Sequence, residues 1–175
     1  MVKKLQYDIF RLIAFILPAY IANAVPVVVS KLVPWTPHPL DGGRNWLDGR
    51  RIFGNTKTVE GLVSGILAGS ITGFIEQLLG IVEAGLEKGF ILSTGAVFGD
   101  LLGSFIKRRL GLPPGSPAPI LDQLDFLAGA LIAAKIAGLD NLTSTDILVL
   151  VLLTLVLHPL TNLLAYMLHL KKVPW

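Results

Sequence analysis

The sequence contains no cysteine, only 3 histidines and few charged residues. The lack of cysteine excludes disulfide bonds, thiolate metal sites and a cysteine nucleophile. Asp, Glu, Lys and Arg make up 15% of the 175 residues, against about 25% in an average soluble domain. Hydrophobic residues make up 53%, which excludes an intrinsically disordered chain, and a net charge of only +3 argues against a nucleic-acid partner. The composition therefore indicates an integral membrane protein.

Long apolar runs take up much of the chain. An apolar helix of about 20 residues crosses a bilayer core, and candidate segments lie at roughly 10–33, 59–79, 90–106, 120–138 and 147–170. We expect an all-α integral membrane protein with five transmembrane helices and a single domain, residues 1–175. The first span is expected to be retained, because its apolar run continues past a signal-peptide-like Ala22-Asn23-Ala24. Small residues at every fourth position of the second segment predict a central place in the bundle.

The distribution of lysine and arginine predicts the orientation. Five spans place the chain ends on opposite faces, and one face holds the first loop (about 34–58), the third loop and the C-terminus. Its basic residues are Arg44, Arg50, Arg51, Lys57, Lys107, Arg108, Arg109, Lys171 and Lys172. Because cytoplasmic loops carry the excess of Lys and Arg, this face is expected in the cytoplasm and the N-terminus outside. Trp35, Trp46 and Trp175 are expected to anchor the same face at the headgroups of the cell membrane.

Three aspartates are expected at one depth near this face. Asp100 lies in the cytoplasmic half of the third segment, in line with Ser104 and the basic pair that follows. Asp122 and Asp125 lie one helical turn apart at the start of the fourth segment. Neighbouring carboxylates repel one another unless a cation neutralises them, and Mg²⁺ typically binds one or two carboxylates together with substrate phosphates. The pattern predicts a Mg²⁺ site; the alternative, acids that favour a helix N-terminus, accounts for Asp122 well and for Asp100 badly.

The segment Asn55-Thr56-Lys57-Thr58-Val59-Glu60-Gly61 leads directly into the second span. Lysine and arginine beside a metal–carboxylate cluster suit the recognition of a triphosphate, although an ordinary basic cytoplasmic loop is an equally good interpretation. The sequence has no Walker motif, nucleophile elbow or His-Glu-x-x-His. A phosphate monoester needs none of them, because it is largely dianionic at neutral pH and can itself attack an activated phosphoryl group that metal ions align.

The remaining polar residues within the spans have structural interpretations. Glu76 and Lys135 are expected near the outer ends of their helices, where each can reach the headgroups or pair with the other. Asn23, His158 and Asn162 are expected to form interhelical hydrogen bonds, with ligand contact as the alternative.

Two rival functions remain open on these residues. Asp100, Lys135 and His158 could lie along the path of a small ion or metabolite transporter, which predicts polar residues at successive depths. The second rival function is that of a purely structural membrane subunit, which leaves three acids at one depth unexplained.

Several motifs, in this order, resemble those of the bacterial CDP-diacylglycerol synthases. That family carries Lys-Thr-x-Glu-Gly, then Gly-Asp, Ser-x-x-Lys-Arg and Asp-Arg-x-Asp. The matching residues here are Lys57-Thr58-Val59-Glu60-Gly61, Gly99-Asp100, Ser104-Phe-Ile-Lys107-Arg108 and Asp122-Gln123-Leu124-Asp125. Gln123 stands where that family has arginine, and the chain is much shorter. These departures, and the ending Leu170-Lys171-Lys172-Val173-Pro174-Trp175, resemble the archaeal branch, the CDP-archaeol synthases.

The resemblance implies transfer of CMP from CTP to 2,3-bis-O-(geranylgeranyl)-sn-glycerol 1-phosphate, with release of pyrophosphate. It implies that Lys57 and the three aspartates are catalytic, with one or two Mg²⁺ bound by Asp100, Asp122 and Asp125. The residues implied in binding or shaping the CTP site are Asn55, Lys57, Thr58, Glu60, Ser104, Lys107 and Arg108. The lipid is expected to enter sideways, with its isoprenoid chains left in a groove between helices.

Overall fold

The computed structural model describes residues 2–33, 36–139 and 142–174, and the regular secondary structure within them consists of five α-helices. These are α1 (Val2–Leu32), α2 (Val59–Leu78), α3 (Gly85–Arg109), α4 (Leu121–Ile136) and α5 (Ser144–Met167). The all-helical prediction is confirmed. Trp35 and Trp175, two of the three expected headgroup anchors, lie outside the described residues.

In the described part of the chain, four of the five helices are long and apolar enough to cross a membrane. α1 does so over Ile9–Leu32, and α2, α3 and α5 do so over their whole lengths. α4 has 16 residues, a length of about 24 Å, whereas the hydrocarbon core measures about 30 Å. It is shorter than the predicted segment 120–138 at both ends, where Ile120, with a φ of 70°, and Gly138, with a φ of 68°, have backbone conformations outside the helical region.

Glycines let α2, α3 and α4 approach one another closely. A β-carbon added to Gly73 of α2 would overlap the backbone of Gly85 in α3, and one added to Gly99 of α3 would overlap the backbone of Asp125 in α4. Membrane helices use small residues for such backbone contacts. α3 packs against α1, α2 and α4 and is the central helix. The sequence predicted this place for α2, whose small residues do form a close contact but whose other face is largely exposed.

α5 is packed less tightly than the other helices. Its buried residues are Leu150 and Thr154. The Thr154 hydroxyl donates to the Leu150 carbonyl at 2.7 Å, so the 2.6 Å hydrogen bond between Thr154 and Tyr20 of α1 has the tyrosine as donor. The Tyr20 ring also packs on Phe126 of α4, with 5.5 Å between the ring centroids. These contacts close the bundle near the middle of α1 and α5.

Of the two interpretations given for Glu76 and Lys135, the one in which they pair with each other is wrong. Glu76 lies on the buried face of α2, and one of its carboxylate oxygens has no hydrogen-bond partner among the described residues. Lys135 lies on the exposed face of α4. The cation whose charge acts on Glu76 is Lys88 of α3, and its ammonium group lies 4.8 Å from the centre of the Phe15 ring.

Candidate functional site

A short extended segment of the first loop holds the backbone of Lys57. The Leu40 N–H donates to the Lys57 carbonyl at 2.8 Å, and the Val59 N–H donates to the His38 carbonyl at 2.9 Å. Residues 38–40 and 57–59 therefore lie antiparallel across one β-bridge. This pairing fixes the chain directly before α2.

Lys57 forms an ion pair with Asp100 of α3. Its Nζ lies 2.7 and 2.6 Å from the two carboxylate oxygens. The next residue, Thr58, caps α2: its hydroxyl oxygen accepts a hydrogen bond of 3.1 Å from the Gly61 N–H. The cap and the bridge together position the lysine from both sides.

Asp41 organises the first loop, a role that sequence analysis missed. Its side chain is fully buried and accepts hydrogen bonds from the Arg51 guanidinium and from the backbone N–H groups of Gly43, Phe53 and Gly54. Burial alone would raise the pKa of Asp41, but the guanidinium and the three N–H groups outweigh burial and hold the pKa well below its ordinary value. The carboxylate thus ties both halves of the loop together.

The loop arginines fasten the loop to α3. Arg50 donates to the Arg109 carbonyl at 2.7 Å, which satisfies a carbonyl at the C-terminal end of α3. Arg109 donates in turn to the Arg51 carbonyl at 2.7 Å. The sequence of this loop is compatible with phosphate binding and with an ordinary basic cytoplasmic loop. Arg50 and Arg51 instead build the loop, and Arg44 is exposed.

Lys107 and Arg108, near the end of α3, have different partners at the junction between α3 and α4. The Lys107 Nζ lies 2.6 Å from one oxygen of Asp122, whose other oxygen accepts from the Ala118 N–H at 2.9 Å. Arg108 is 6% exposed and donates to the Pro113 carbonyl at 3.2 Å. Lys107 therefore neutralises a carboxylate, whereas Arg108 holds the connecting loop.

Asp125 lies against α3, where Gly103 leaves room for its carboxylate. A β-carbon added to Gly103 would overlap that carboxylate. The charges of Asp100, Lys57 and Asp122 act on Asp125. Among the described residues, Asp100 and Asp122 each have a lysine within ion-pair distance, and Asp125 has none.

The three aspartates do not form a ready-made three-ligand metal site. In the part of the chain that the structure describes, no group of three His, Asp or Glu side chains is close enough to hold one ion. The donor chemistry nevertheless fits Mg²⁺, which prefers carboxylate oxygens and usually takes only one or two of them from the protein. Asp125, which has no cationic partner among the described residues, is the donor best suited to it.

A cavity of about 510 Å³ opens beside the Lys57–Asp100 pair, between the ends of α1, α2, α3 and α5. Its polar wall residues include Asn23, Asn55, Lys57, Thr58, Glu60, Asp100, His158, Asn162 and Lys171. Its apolar wall residues include Pro26, Val27, Val29, Leu62 and Val97. A wall of both kinds suits a ligand that is charged at one end and apolar at the other.

The predicted site residues fall into two groups. The first lines the cavity and consists of Asn55, Lys57, Thr58, Glu60 and Asp100. The second lies at the α3–α4 junction and consists of Ser104, Lys107, Arg108, Asp122 and Asp125. The second group lies outside the cavity wall, and because Ser104 and Arg108 are also buried, their positions do not favour the predicted phosphate contacts.

Two of the cavity residues are oriented by the first loop. Asn55 accepts a hydrogen bond of 2.7 Å from Arg51 through its amide oxygen. Glu60 accepts one of 3.1 Å from the His38 N–H and also contacts the His38 ring. The loop therefore shapes the cavity through these two side chains, and His38 is a contributor that sequence analysis missed.

α5 contributes a further set of polar residues to the cavity. Asn162 donates to His158 Nδ1 at 3.3 Å within the same helix, so the interhelical hydrogen bond predicted for this pair is wrong. Both residues line the cavity with Asn23, as the alternative of ligand contact requires, and Lys171 joins them. The spacing of four residues between His158 and Asn162 places them on one helix face, and that spacing was the available signal.

A second cavity, of about 450 Å³, lies at the opposite end of the bundle. Arg11 and Lys88 are its charged wall residues in the described part of the chain, and the rest of that wall is mainly apolar. It therefore lacks the combination of carboxylates and lysines found beside Asp100.

Comparison with known proteins identifies the relatives of this chain. The profile of a family described as CarS-like, CDP-archaeol synthase, matches residues 5–175. A CDP-archaeol synthase of Thermofilum pendens is 46% identical over 172 residues, which cover 96% of this chain and 82% of that protein. One of Pyrococcus furiosus is 41% identical over 174 residues, which cover 97% of this chain and 100% of that protein.

A solved structure is also similar to this chain. It is described as an intramembrane enzyme for the biosynthesis of archaeal membrane lipids, with a TM-score of 0.78 and 41% sequence identity. The match covers 86% of this chain and 91% of the other. These similarities support the enzyme interpretation and give no support to the transporter alternative.

Proposed function

Since the chain belongs to the CDP-archaeol synthase family, we propose that it transfers CMP from CTP to 2,3-bis-O-(geranylgeranyl)-sn-glycerol 1-phosphate, giving CDP-archaeol and pyrophosphate in archaeal phospholipid biosynthesis. The observation that carries the proposal is the Lys57–Asp100 pair in the wall of a cavity that has both polar and apolar surface. Such a cavity suits a phosphate ester of an isoprenoid ether lipid.

The reaction needs no covalent intermediate and no general base. An oxygen of the dianionic lipid phosphate forms a bond to the α-phosphorus of CTP, and the bond from that phosphorus to the β-phosphate oxygen breaks. Pyrophosphate leaves with the electron pair. The protein therefore has to align the two phosphates and offset their negative charge.

The cationic side chains of the site supply part of that charge. Lys57 and Lys107 each neutralise an aspartate in this structure, and on binding of CTP their ammonium groups would contact its phosphates. Asn55, Thr58 and Glu60 would shape the nucleotide site from the first loop and the start of α2. Ser104 and Arg108 would act through the packing of the α3–α4 junction, in keeping with their burial.

Asp100, Asp122 and Asp125 would hold one or two Mg²⁺. The carboxylate donors and the lack of a cationic partner for Asp125 among the described residues support this assignment. When bound, the ion would offset the negative charge on the reacting phosphates and on the leaving pyrophosphate.

We further propose a multi-pass arrangement in the cell membrane in which α4 is the fifth span, the N-terminus lies outside, and the C-terminus and active site face the cytoplasm. The excess of lysine and arginine at the end of the bundle that holds Lys57, Lys107 and Lys171 supports this orientation.

The test is the release of pyrophosphate by the purified protein in the presence of CTP, Mg²⁺ and either the isoprenoid ether-lipid phosphate or a diacyl phosphatidate. Asp100→Asn and Asp125→Asn should each lower kcat about a thousandfold or more, because metal-ion charge stabilisation contributes several kcal/mol. Glu87→Gln is the matched control, since this exposed carboxylate lies at the other end of α3. Near-normal turnover in either aspartate variant would contradict the assigned site, and no turnover by the wild type would contradict the function.

A further inference from the structure

The chain reverses direction directly after α5 and returns to the cavity. The Leu170 N–H donates to the Ala165 carbonyl at 2.8 Å, and the His169 N–H donates to the Tyr166 carbonyl at 2.9 Å. This is a Schellman motif, in which the first residue after the C-cap adopts a left-handed conformation. His169 does so with a φ of 59°. The turn carries Lys171 back along the last part of α5.

Lys171 is held by the polar face of α5. Its Nζ donates to the Asn162 amide oxygen at 3.1 Å, and the Asn162 amide nitrogen donates to His158. The His158 ring stacks on Phe126 of α4, with 6.0 Å between the ring centroids. These contacts orient the ammonium group in the cavity wall before any ligand binds.

The charge of Lys171 is compensated differently from that of the other lysines of the site. Lys57 and Lys107 each lie 2.6 Å from a carboxylate. Among the described residues no carboxylate lies within ion-pair distance of Lys171, whose hydrogen-bond partner is the neutral Asn162 amide. Burial lowers the pKa of Lys171 below its ordinary value, although the charge of Asp122 acts in the opposite direction. A partly buried cation with a neutral partner is a place for an anionic ligand.

The position of Lys171 separates it from the metal-binding carboxylates. Lys57 and Asp100 form the wall on the side of α2 and α3, and Lys171 lies on the α5 wall. Pro26, Val27 and Val29 of α1 complete the cavity with apolar surface. Because α1 and α5 are joined at Tyr20 and Thr154, near their middles, the cavity occupies the space between their ends.

We propose that Lys171, oriented by Asn162, binds the phosphate of the lipid acceptor, and that the isoprenoid chains lie between α1 and α5. This inference rests on the proposed function and assigns the two phosphate substrates to different lysines. Lys57 and Lys107 serve the nucleotide, and Lys171 serves the lipid. The lipid reaches the cation from the bilayer side, and the nucleotide reaches the aspartates from the aqueous side.

Steady-state kinetics of Lys171→Gln test the assignment. Loss of a charge-assisted hydrogen bond should raise the KM for the lipid phosphate about ten- to a hundredfold, while the KM for CTP stays within about twofold of the wild-type value. Lys172→Gln is the matched control, because it removes the same charge from the neighbouring, exposed residue; neither KM should change. Lys171→Arg should recover part of the lipid affinity, since it restores a cation.

Ligand-induced thermal stabilisation provides a readout that does not depend on turnover. The lipid phosphate should stabilise the wild type more than the corresponding lipid alcohol does, and Lys171→Gln should lose this difference while it keeps the stabilisation by CTP. Asn162→Ala should lose a smaller part of the difference in stabilisation between the lipid phosphate and the lipid alcohol. It replaces Lys171→Gln as the test if that variant does not fold. The two proposals can fail separately. If the wild type does not turn over, but the lipid phosphate stabilises the wild type and not Lys171→Gln, the proposed function is rejected and the binding site is retained.

Three results would overturn the inference. In Lys171→Gln, a raised KM for CTP with an unchanged lipid KM would place this cation on the nucleotide. Unchanged values of both would show that neither phosphate contacts it. A change of the same size in Lys172→Gln would show an effect of the overall basic charge of the tail.

Discussion

Toward α2 and α4, the central helix α3 meets its neighbours through contacts between glycines and backbone. The α5 side of the bundle is instead joined through side chains, by the Tyr20–Thr154 hydrogen bond, an ion pair between Arg11 and Asp146, and ring stacking of His158 on Phe126. This difference in packing suits the two sides of the bundle to different roles. Asp100 and Asp125 come from the closely packed side, where helices that cannot slide fix the carboxylates relative to each other. Lys171 follows the helix with the fewest buried residues, and such a helix is displaced at low cost by a bulky ligand.

The largest expected effect comes from breaking the closely packed side. A side chain at Gly129 would overlap the backbone of Gly95 and Gly99, so Gly129→Val has to separate α3 from α4. We expect the free energy of unfolding to fall by about 3 kcal/mol or more, measured by unfolding in mixed detergent micelles. Val156→Leu, a smaller enlargement on the exposed face of α5, should change it little. Equal effects of the two variants would contradict the comparison.

The closely packed side extends into the first loop, and Asp41→Asn tests this. The substitution removes the charge that accepts the Arg51 and backbone hydrogen bonds. We expect a loss of about 2–3 kcal/mol, because hydrogen bonds to charged groups contribute most. Asp48→Asn, in a more exposed ion pair with Arg109, should cost much less. If both variants lose the same amount, Asp41 is not the residue that organises the loop.

Acid should reproduce part of the Asp41→Asn effect. The folded-state pKa of Asp41 lies below its ordinary value, so its stabilisation is complete above the unfolded pKa of about 3.9 and declines as the pH falls toward the folded value. By pH 2 about 2 kcal/mol should be lost. The difference in stability between the wild type and Asp41→Asn should therefore shrink between pH 5 and about pH 2. A constant difference across this range would contradict the assignment.

The α5 side should respond to much smaller changes. Tyr20→Phe removes the hydrogen bond to Thr154 and should cost about 1 kcal/mol. In Tyr20→Phe the Thr154 hydroxyl still donates to the Leu150 carbonyl, so adding Thr154→Val, which removes the hydroxyl altogether, should change the stability little further. A loss as large as that of Gly129→Val would show that α5 is as tightly held as α4.

The smallest expected effects come from one residue on each side. Ile120 before α4 and His169 after α5 have φ values of 70° and 59°, a conformation that glycine adopts more easily. Ile120→Gly and His169→Gly should each raise stability by up to about 1 kcal/mol, the isoleucine more because it is β-branched. Ala137→Gly, at a φ of −80°, should instead lower it. If Ile120→Gly or His169→Gly lowers the stability instead, the contacts of the original side chain contribute more than its positive φ costs.

The helices follow from the sequence because long apolar runs are a local signal. The sequence also predicts a basic loop that faces the aspartates, but the ion pair between Lys57 and Asp100 was not part of that prediction. The start of α4 does not follow, since nothing in the sequence marks Ile120 as a residue with a positive φ. Glu76 and Lys135 do lie near the ends of their helices, but they do not pair, because a position along a helix does not determine which face a residue occupies.

The arginines and Lys171 show a second limit. A basic loop has the same composition whether its arginines bind phosphate or, like Arg50, the carbonyls at a helix end. The role of Asp41 depends on donors contributed by both halves of a loop without periodicity. Lys171 reaches the cavity through a turn whose left-handed residue is histidine where glycine is usual.

The short α4 has a consequence for the surrounding lipid. At about 24 Å its 16 residues fall about 6 Å short of an average hydrocarbon core. A bilayer accommodates such hydrophobic mismatch by becoming thinner locally. With α4 as a span, the headgroups beside it would dip toward the middle of the membrane, and Asp122 in its first turn would lie at the bottom of that depression. The phosphate of a lipid in that depression would then lie closer to the depth of the site while its chains stay in the membrane.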